Sequence, residues 1–200
     1  MAVKTMPVSS GTGQYNVGWH DLLISKAEYG EWKSPDGTSK RYVDLWFDGY
    51  TDNMNLRMYE VINKETGEEF KIANLFRYAN AGIIDVLNDP TGKKPIIQYD
   101  DDATNLVGKR IHAYFYKEQK TGNEYSRIFD TVAPVEQEGD HITWTADQVF
   151  ALKASAEKNF NRVHSSDTAT NGTLLKSTPV TQTSTGSDDF FSQVIHKTNG

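Results

Sequence analysis

The sequence predicts a mainly β domain followed by one helix and a polar tail, and three observations carry that reading. Across residues 15–135, runs of aromatic and β-branched side chains are separated by Gly, Pro, Asn and Asp turn signals, the pattern of a small all-β unit. Residues 145–160 place Val149, Leu152, Ala156 and Phe160 on one helical face. From 165 to 187, 12 of 23 residues are Ser or Thr and apolar periodicity stops, so this stretch is expected to be disordered.

Taken in order, the expected strands are residues 19–29, 42–50, 56–62, 109–118 and 125–132. Ser34-Pro35-Asp36-Gly37 presets a turn after the first, Glu65-Thr66-Gly67 breaks the chain after the third, and Lys120-Thr121-Gly122-Asn123 makes a hairpin of the last two. Between the third and fourth, residues 70–87 carry Ile72, Leu75, Phe76, Ala79 and Ile83 at helical spacing, stopped by Asn88-Asp89-Pro90. Thr145 and Gln148 form a capping box for the later helix. Five strands with a helix between strands 3 and 4 is the layout of a five-stranded OB-like barrel, whose sheet face binds single strands or oligosaccharides. An unrelated open sheet fits the same order. The chain divides into an OB-fold domain at 15–135, a linker and C-terminal helix at 136–164, and a disordered Ser/Thr-rich acidic tail at 165–200.

Composition removes several function classes. There is no cysteine, hence no disulfide, thiol nucleophile or Cys-ligated metal. No apolar run approaches the ~18 residues of a membrane span, and the start lacks a signal-peptide layout, so a cytosolic protein without membrane contacts is expected. A net charge of −6, split as −3 in residues 1–135 and −3 in 136–200, excludes a strongly basic chain. Any nucleic-acid contact must use a local patch. Asp100-Asp101-Asp102 lacks EF-hand spacing and is read as a solvated loop, the five His lack close-ligand spacing, and no serine elbow, Walker loop or dinucleotide fingerprint occurs. No catalytic residue, metal or cofactor is expected. A nuclease using Asp44 and Asp48 is the enzyme alternative, with nothing positive to support it.

Strand alternation places Val43, Leu45 and Phe47 in the core and Tyr42, Asp44, Trp46 and Asp48 on the opposite face. Ile111, Ala113 and Phe115 are core likewise, with Arg110, His112, Tyr114 and Tyr116 opposite. Rings interleaved with cations suit single-stranded nucleic acid, since bases stack on rings and cations neutralise phosphates. The candidate stacking residues are Tyr42, Trp46, Tyr114 and Tyr116, then Trp32 and Tyr59. Candidate phosphate contacts are Lys33, Lys40, Arg41, Arg57, Lys109, Arg110 and Lys117. Cross-strand aromatic pairs also stabilise sheets with no ligand at all. In the tail, Asp188-Asp189-Phe190-Phe191 is suited to a basic-rimmed hydrophobic pocket on a partner protein, or to a short terminal helix packed on the body.

The chain resembles the single-stranded DNA-binding proteins of tailed bacteriophages. The likeness covers residues 17–135 and rests on four stretches. These are Gly18-Trp19-His20-Asp21-Leu22-Leu23-Ile24, Arg41-Tyr42-Val43-Asp44-Leu45-Trp46-Phe47, Leu75-Phe76-Arg77-Tyr78-Ala79, and Gly108-Lys109-Arg110-Ile111 leading to Gly122-Asn123-Glu124-Tyr125-Ser126-Arg127-Ile128. The resemblance implies an OB fold with an acidic tail that coats single-stranded DNA cooperatively during phage replication or recombination. It further implies tail contacts with replication or recombination proteins in the cytoplasm of a bacterial host cell, with Trp46 and Tyr114 the first stacking residues. Family-type tails end in the acidic-aromatic tip, whereas here Ser192 and eight further residues follow it. The alternatives are a non-catalytic protein-interaction or virion-associated β domain whose rings are covered, and a carbohydrate-binding domain. Whether the chain forms a homo-oligomer is left open by the sequence.

Overall fold

Burial follows the two-residue period of the strands, and this fixes which side of the sheet holds the core. A computed structural model describes residues 15–87 and 95–167. Along them run β1 (Gly18–Lys33), β2 (Ser39–Phe47), β3 (Leu56–Tyr59), α1 (Lys71–Tyr78), β4 (Ile83–Leu87), β5 (Ile96–Tyr99), β6 (Arg110–Lys120), β7 (Asn123–Pro134) and α2 (Ala146–Asp167), with a short 3-10 turn at Ala103–Leu106. The fold is mainly β. Five strands form an antiparallel sheet in the order β3-β2-β1-β6-β7, and β4 pairs with β5 in a separate two-stranded sheet. Val43, Leu45 and Phe47 on β2 and Ile111, Ala113 and Phe115 on β6 are buried, as alternation predicts. With Leu22, Ile24, Leu56, Met58, Leu75, Phe76 and Leu106 they make one core.

β1 is longer than expected because it serves two neighbours. Residues 18–23 pair with β6, and the stretch from Ile24 to Lys33 pairs with β2. The register slips between Ile24 and Lys26. One extra residue in a strand inverts the facing of everything after it. Leu22 and Ile24 are accordingly buried before the bulge, and Ala27 after it.

The stretch 70–87, expected as one helix, is a helix followed by a strand. Ile72, Leu75, Phe76 and Ala79 are buried at the predicted spacing. The Glu69 carboxylate accepts from the backbone N–H groups of Lys71, Ile72 and Ala73 at 2.7–2.8 Å, satisfying donors the first turn leaves open. The helix then stops at Asn80 (φ +48°) and Gly82 (φ +61°), whose left-handed backbone cannot continue it. The β-branched residues beyond, Ile83, Ile84 and Val86, extend into β4.

The hydrogen-bonded sheet is open: among the described residues no ladder joins β3 to β7. These two edge strands nevertheless pack against each other, and α1 packs against both. An ion pair from Lys71 to Asp130 fastens α1 to β7. The segment between β7 and α2 is anchored as well. Gln137 and Trp144 bridge each other, while Gln137, Trp144 and Asn80 hydrogen-bond across the C-terminal end of α1.

The capping box forms as read: Thr145 N donates to Gln148 Oε1 (2.9 Å) and Gln148 N to Thr145 Oγ1 (3.4 Å). α2 runs to Asp167, beyond the expected end near residue 160. It lies on β7 with Val149 and Ala156 buried. The rest of the Ser/Thr-rich tail, including Asp188, Asp189, Phe190 and Phe191, lies outside the described residues. No helix among the described residues is long and apolar enough to cross a membrane.

At Gly82 an added Cβ would stand 2.3 Å from the Asp100 backbone oxygen, on a residue already at positive φ. Gly82→Ala is expected to cost about 1–3 kcal/mol in urea unfolding, combining backbone strain with that contact.

Candidate functional site

The outward face of the sheet has two halves, because β1 pairs with β6 over its first part and β2 over its second. On β1–β2–β3 the register sets Lys26 opposite Trp46, Gly30 opposite Tyr42, and Trp32 opposite Lys40. It also sets Tyr42 opposite Tyr59 and Asp44 opposite Arg57. Direct partners share a face, so Trp32, Lys40, Tyr42, Trp46, Arg57 and Tyr59, all expected at the site, stand together, joined by Lys26, Glu28, Gly30 and Asp44.

Each central ring here carries a cation, and each such cation is held by a carboxylate. Lys26 Nζ lies 4.4 Å from the Trp46 ring centroid and 2.9 Å from Glu28. Arg57 Cζ lies 3.8 Å from the Tyr42 centroid, while its Nε and Nη2 donate to the two Asp44 oxygens at 2.7 Å each. That bond raises the guanidinium pKa above its ordinary value. Tyr59 meets Tyr42 edge to face at 5.6 Å. Trp32 is the most open of these rings, 42% exposed, near the turn joining β1 to β2. Lys40 has no carboxylate within ion-pair distance among the described residues.

The β1–β6–β7 half is arranged differently. Trp19 faces Tyr114 across the strands at 5.5 Å. α2 lies over them. Phe160 reaches Tyr114, Tyr116 and Phe129 at 5.1–5.3 Å and stacks on His164, and Trp19 Nε1 donates to Glu157 at 2.6 Å. Tyr114 and Tyr116, candidate stacking residues in the sequence, are therefore half-buried beneath a helix. Burial raises the Tyr116 phenol pKa.

The remaining expected cations are dispersed, and most of them are engaged. Arg110 makes a two-pronged contact with Asp21 on the α2-covered half. Arg41 projects to the other side of β2, over the Tyr29 ring at 3.7 Å and onto Asp101 at 2.9 Å. Lys33 pairs with Glu31 at 3.4 Å. Lys117, on the core-side parity of β6, bonds Ser126 and Glu124. Lys109 is half-buried, its backbone tying β1 to the turn before β6. Of the carboxylates weighed for metal or acid chemistry, Asp44 is buried against Arg57, Asp101 holds Arg41, and Asp102 caps the 3-10 turn through Thr104. No group of three or more potential metal ligands occurs among the described residues.

Sequence reasoning missed Lys26, Gly30, Trp19 and Phe160. Gly30, a lone glycine inside a strand, is the one with a signal, since such a residue marks a close approach. Here it is the Tyr42 ring, 2.3 Å from where a Cβ would sit. Near the start of α2, His112, Val135, Ala146, Val149, Phe150 and Lys153 line a shallow cavity of about 310 Å³. Compared with known proteins, the chain matches no family model and no curated protein.

Phe160→Ala is expected to cost about 2–3 kcal/mol in urea unfolding, below a fully buried Phe because its ring is partly exposed, and to increase iodide quenching of Trp19. His112, with Nδ1 2.8 Å from the Pro134 carbonyl oxygen, has its pKa lowered, first by burial and then by Lys153. The folded state thus takes up its proton at lower pH than the unfolded chain. Its stabilising contribution is complete above the ordinary value of 6.5 and fades as pH falls through the lowered one. Unfolding free energy should fall over that window, and less steeply in His112→Gln.

Proposed function

We propose that this chain is a non-catalytic, sequence-tolerant single-stranded DNA-binding protein that coats DNA during phage replication or recombination, in the cytoplasm of the infected bacterial cell. The observation that carries the reading is the β1–β2–β3 face, where Trp32, Tyr42, Trp46 and Tyr59 stand among Lys26, Lys40 and Arg57. Flat apolar rings suit bases of any sequence, and adjacent cations suit a polyanionic backbone. The strand order and the helix packed against both edge strands support assigning the sheet to the OB architecture, whose second and third strands form the usual oligonucleotide face. In this reading the strand lies across β2 and β3, and Tyr114 and Tyr116 serve instead to seat α2. The segment Asp188–Phe191 is the proposed contact for replication or recombination proteins.

Because the cations on this face are largely paired, the phosphates must exchange with carboxylates as they bind. Exposed pairs such as Lys26–Glu28 are worth only ~0–1 kcal/mol each, so the exchange is not prohibitive. A second reading, a protein-interaction β domain, draws on the rings that α2 already covers.

The two readings separate in a titration of the full chain with oligo-dT followed by tryptophan fluorescence. Quenching is expected, with affinity falling by about 0.7 in log–log slope per phosphate neutralised, and Trp46→Ala losing on the order of 1–3 kcal/mol. Unchanged emission together with no retarded complex at low salt would overturn the DNA-binding reading in favour of the protein-interaction one.

A further inference from the structure

Tyr42 has no bare face to offer a base. One side of its ring rests on the Gly30 backbone, so closely that a Cβ there would approach to 2.3 Å. The other side is taken by Arg57, whose Cζ lies at contact distance, 3.8 Å from the ring centroid. Arg57 is fixed along its edge too, by two 2.7 Å bonds to Asp44. The Asp44 side chain is only 11% exposed, whereas that of Arg57 is 40% exposed. The phenol ring is thus in contact with both the glycine backbone and the guanidinium, and the guanidinium is held against rotation by a carboxylate beside it while reaching solvent.

We propose that Arg57, rather than Tyr42, is the stacking surface for a nucleobase at this point of the face, with Tyr42 and Asp44 as the residues that position it. The inference rests on the single-strand-binding reading and names how one base is held within it. A guanidinium is planar, delocalised and weakly hydrated, and its plane stacks on bases as aromatic side chains do. Immobilised in advance, it loses little rotamer freedom when a base arrives. Its Nε and one Nη2 hydrogen are already given to Asp44, which takes up the side-on pair of donors and leaves only the Nη1–Nη2 end for a phosphate. The same bonds compensate much of its charge. Arg57 therefore contributes a surface more than a counterion.

The test compares full-length wild type, Arg57→Lys and Asp44→Asn for binding to oligo-dT and to an abasic oligonucleotide of equal length, each over a range of salt, with urea midpoints measured in parallel. Arg57→Lys keeps the charge and loses the plane. It is expected to weaken oligo-dT binding about tenfold or more while leaving abasic binding and the salt slope as in wild type. Asp44→Asn, which releases the guanidinium, is expected to weaken oligo-dT binding in the same base-dependent way. Equal loss for both oligonucleotides, or oligo-dT affinity unchanged in Arg57→Lys, overturns the proposal and leaves DNA binding standing. Tighter binding by Asp44→Asn also overturns it, because Asp44 would then be a competitor that keeps Arg57 from phosphate. Failure of wild type to bind either oligonucleotide overturns the binding reading itself and this inference with it.

Discussion

The bulge after Ile24 governs the arrangement of this molecule. β1 gives its hydrogen bonds first to β6 and then to β2, and the extra residue between keeps apolar side chains pointing inward across the change of partner. Without that slip, Lys26 and Glu28 would be turned toward the core, and Ala27 and Tyr29 toward solvent. The cost of burying an unpaired Lys or Glu, several kcal/mol each, excludes the alternative register. The outward face then follows. Trp19 and Asp21 precede the bulge with one parity, Gly30 and Trp32 follow it with the other, and all four look outward.

Charge is distributed on this chain by pairing more than by segregation. The rings of Trp46, Tyr42 and Tyr29 each carry a cation, and a carboxylate holds each cation in turn. Such a surface presents neither a basic stripe nor a bare aromatic shelf, which agrees with the net charge of −6. The pairs differ in consequence. Lys26 and Glu28 are both more than half exposed, so solvent and salt screen their attraction. Asp44 is buried, and removing its partner would leave a carboxylate out of water with nothing to balance it. On one face, then, some cations are exchangeable and at least one is fixed.

α2 turns the other half of the face into packing. Phe160 among Tyr114, Tyr116 and Phe129 buries aromatic area that would otherwise form an exposed patch, and Glu157 satisfies the Trp19 indole N–H. The segment leading to α2 is pinned by Gln137, Ile142 and Trp144 to the end of α1, so the C-terminal helix belongs to the body of the fold and is more than a tether for the tail.

What the sequence by itself determined is what depends on neighbours along the chain. Alternation in 42–47 and 111–115 identified the inward residues, the Thr145–Gln148 pair marked a helix start, and the 3.6-residue period of Ile72, Leu75, Phe76 and Ala79 located α1. The helical spacing runs on through Ile83 and masks the end of α1, which is marked locally by Asn80 and Gly82, both at positive φ and of the residue types that stop helices. The tertiary structure decided the character of the site. Two strands can pair in many registers with similar backbone hydrogen bonding, and only the core selects the one that puts Arg57 beside Asp44 and over Tyr42. Whether a ring lies open, as Trp32 does, or under a helix, as Tyr114 does, is set by residues more than forty positions away in the chain, and no local pattern can encode a contact across that distance.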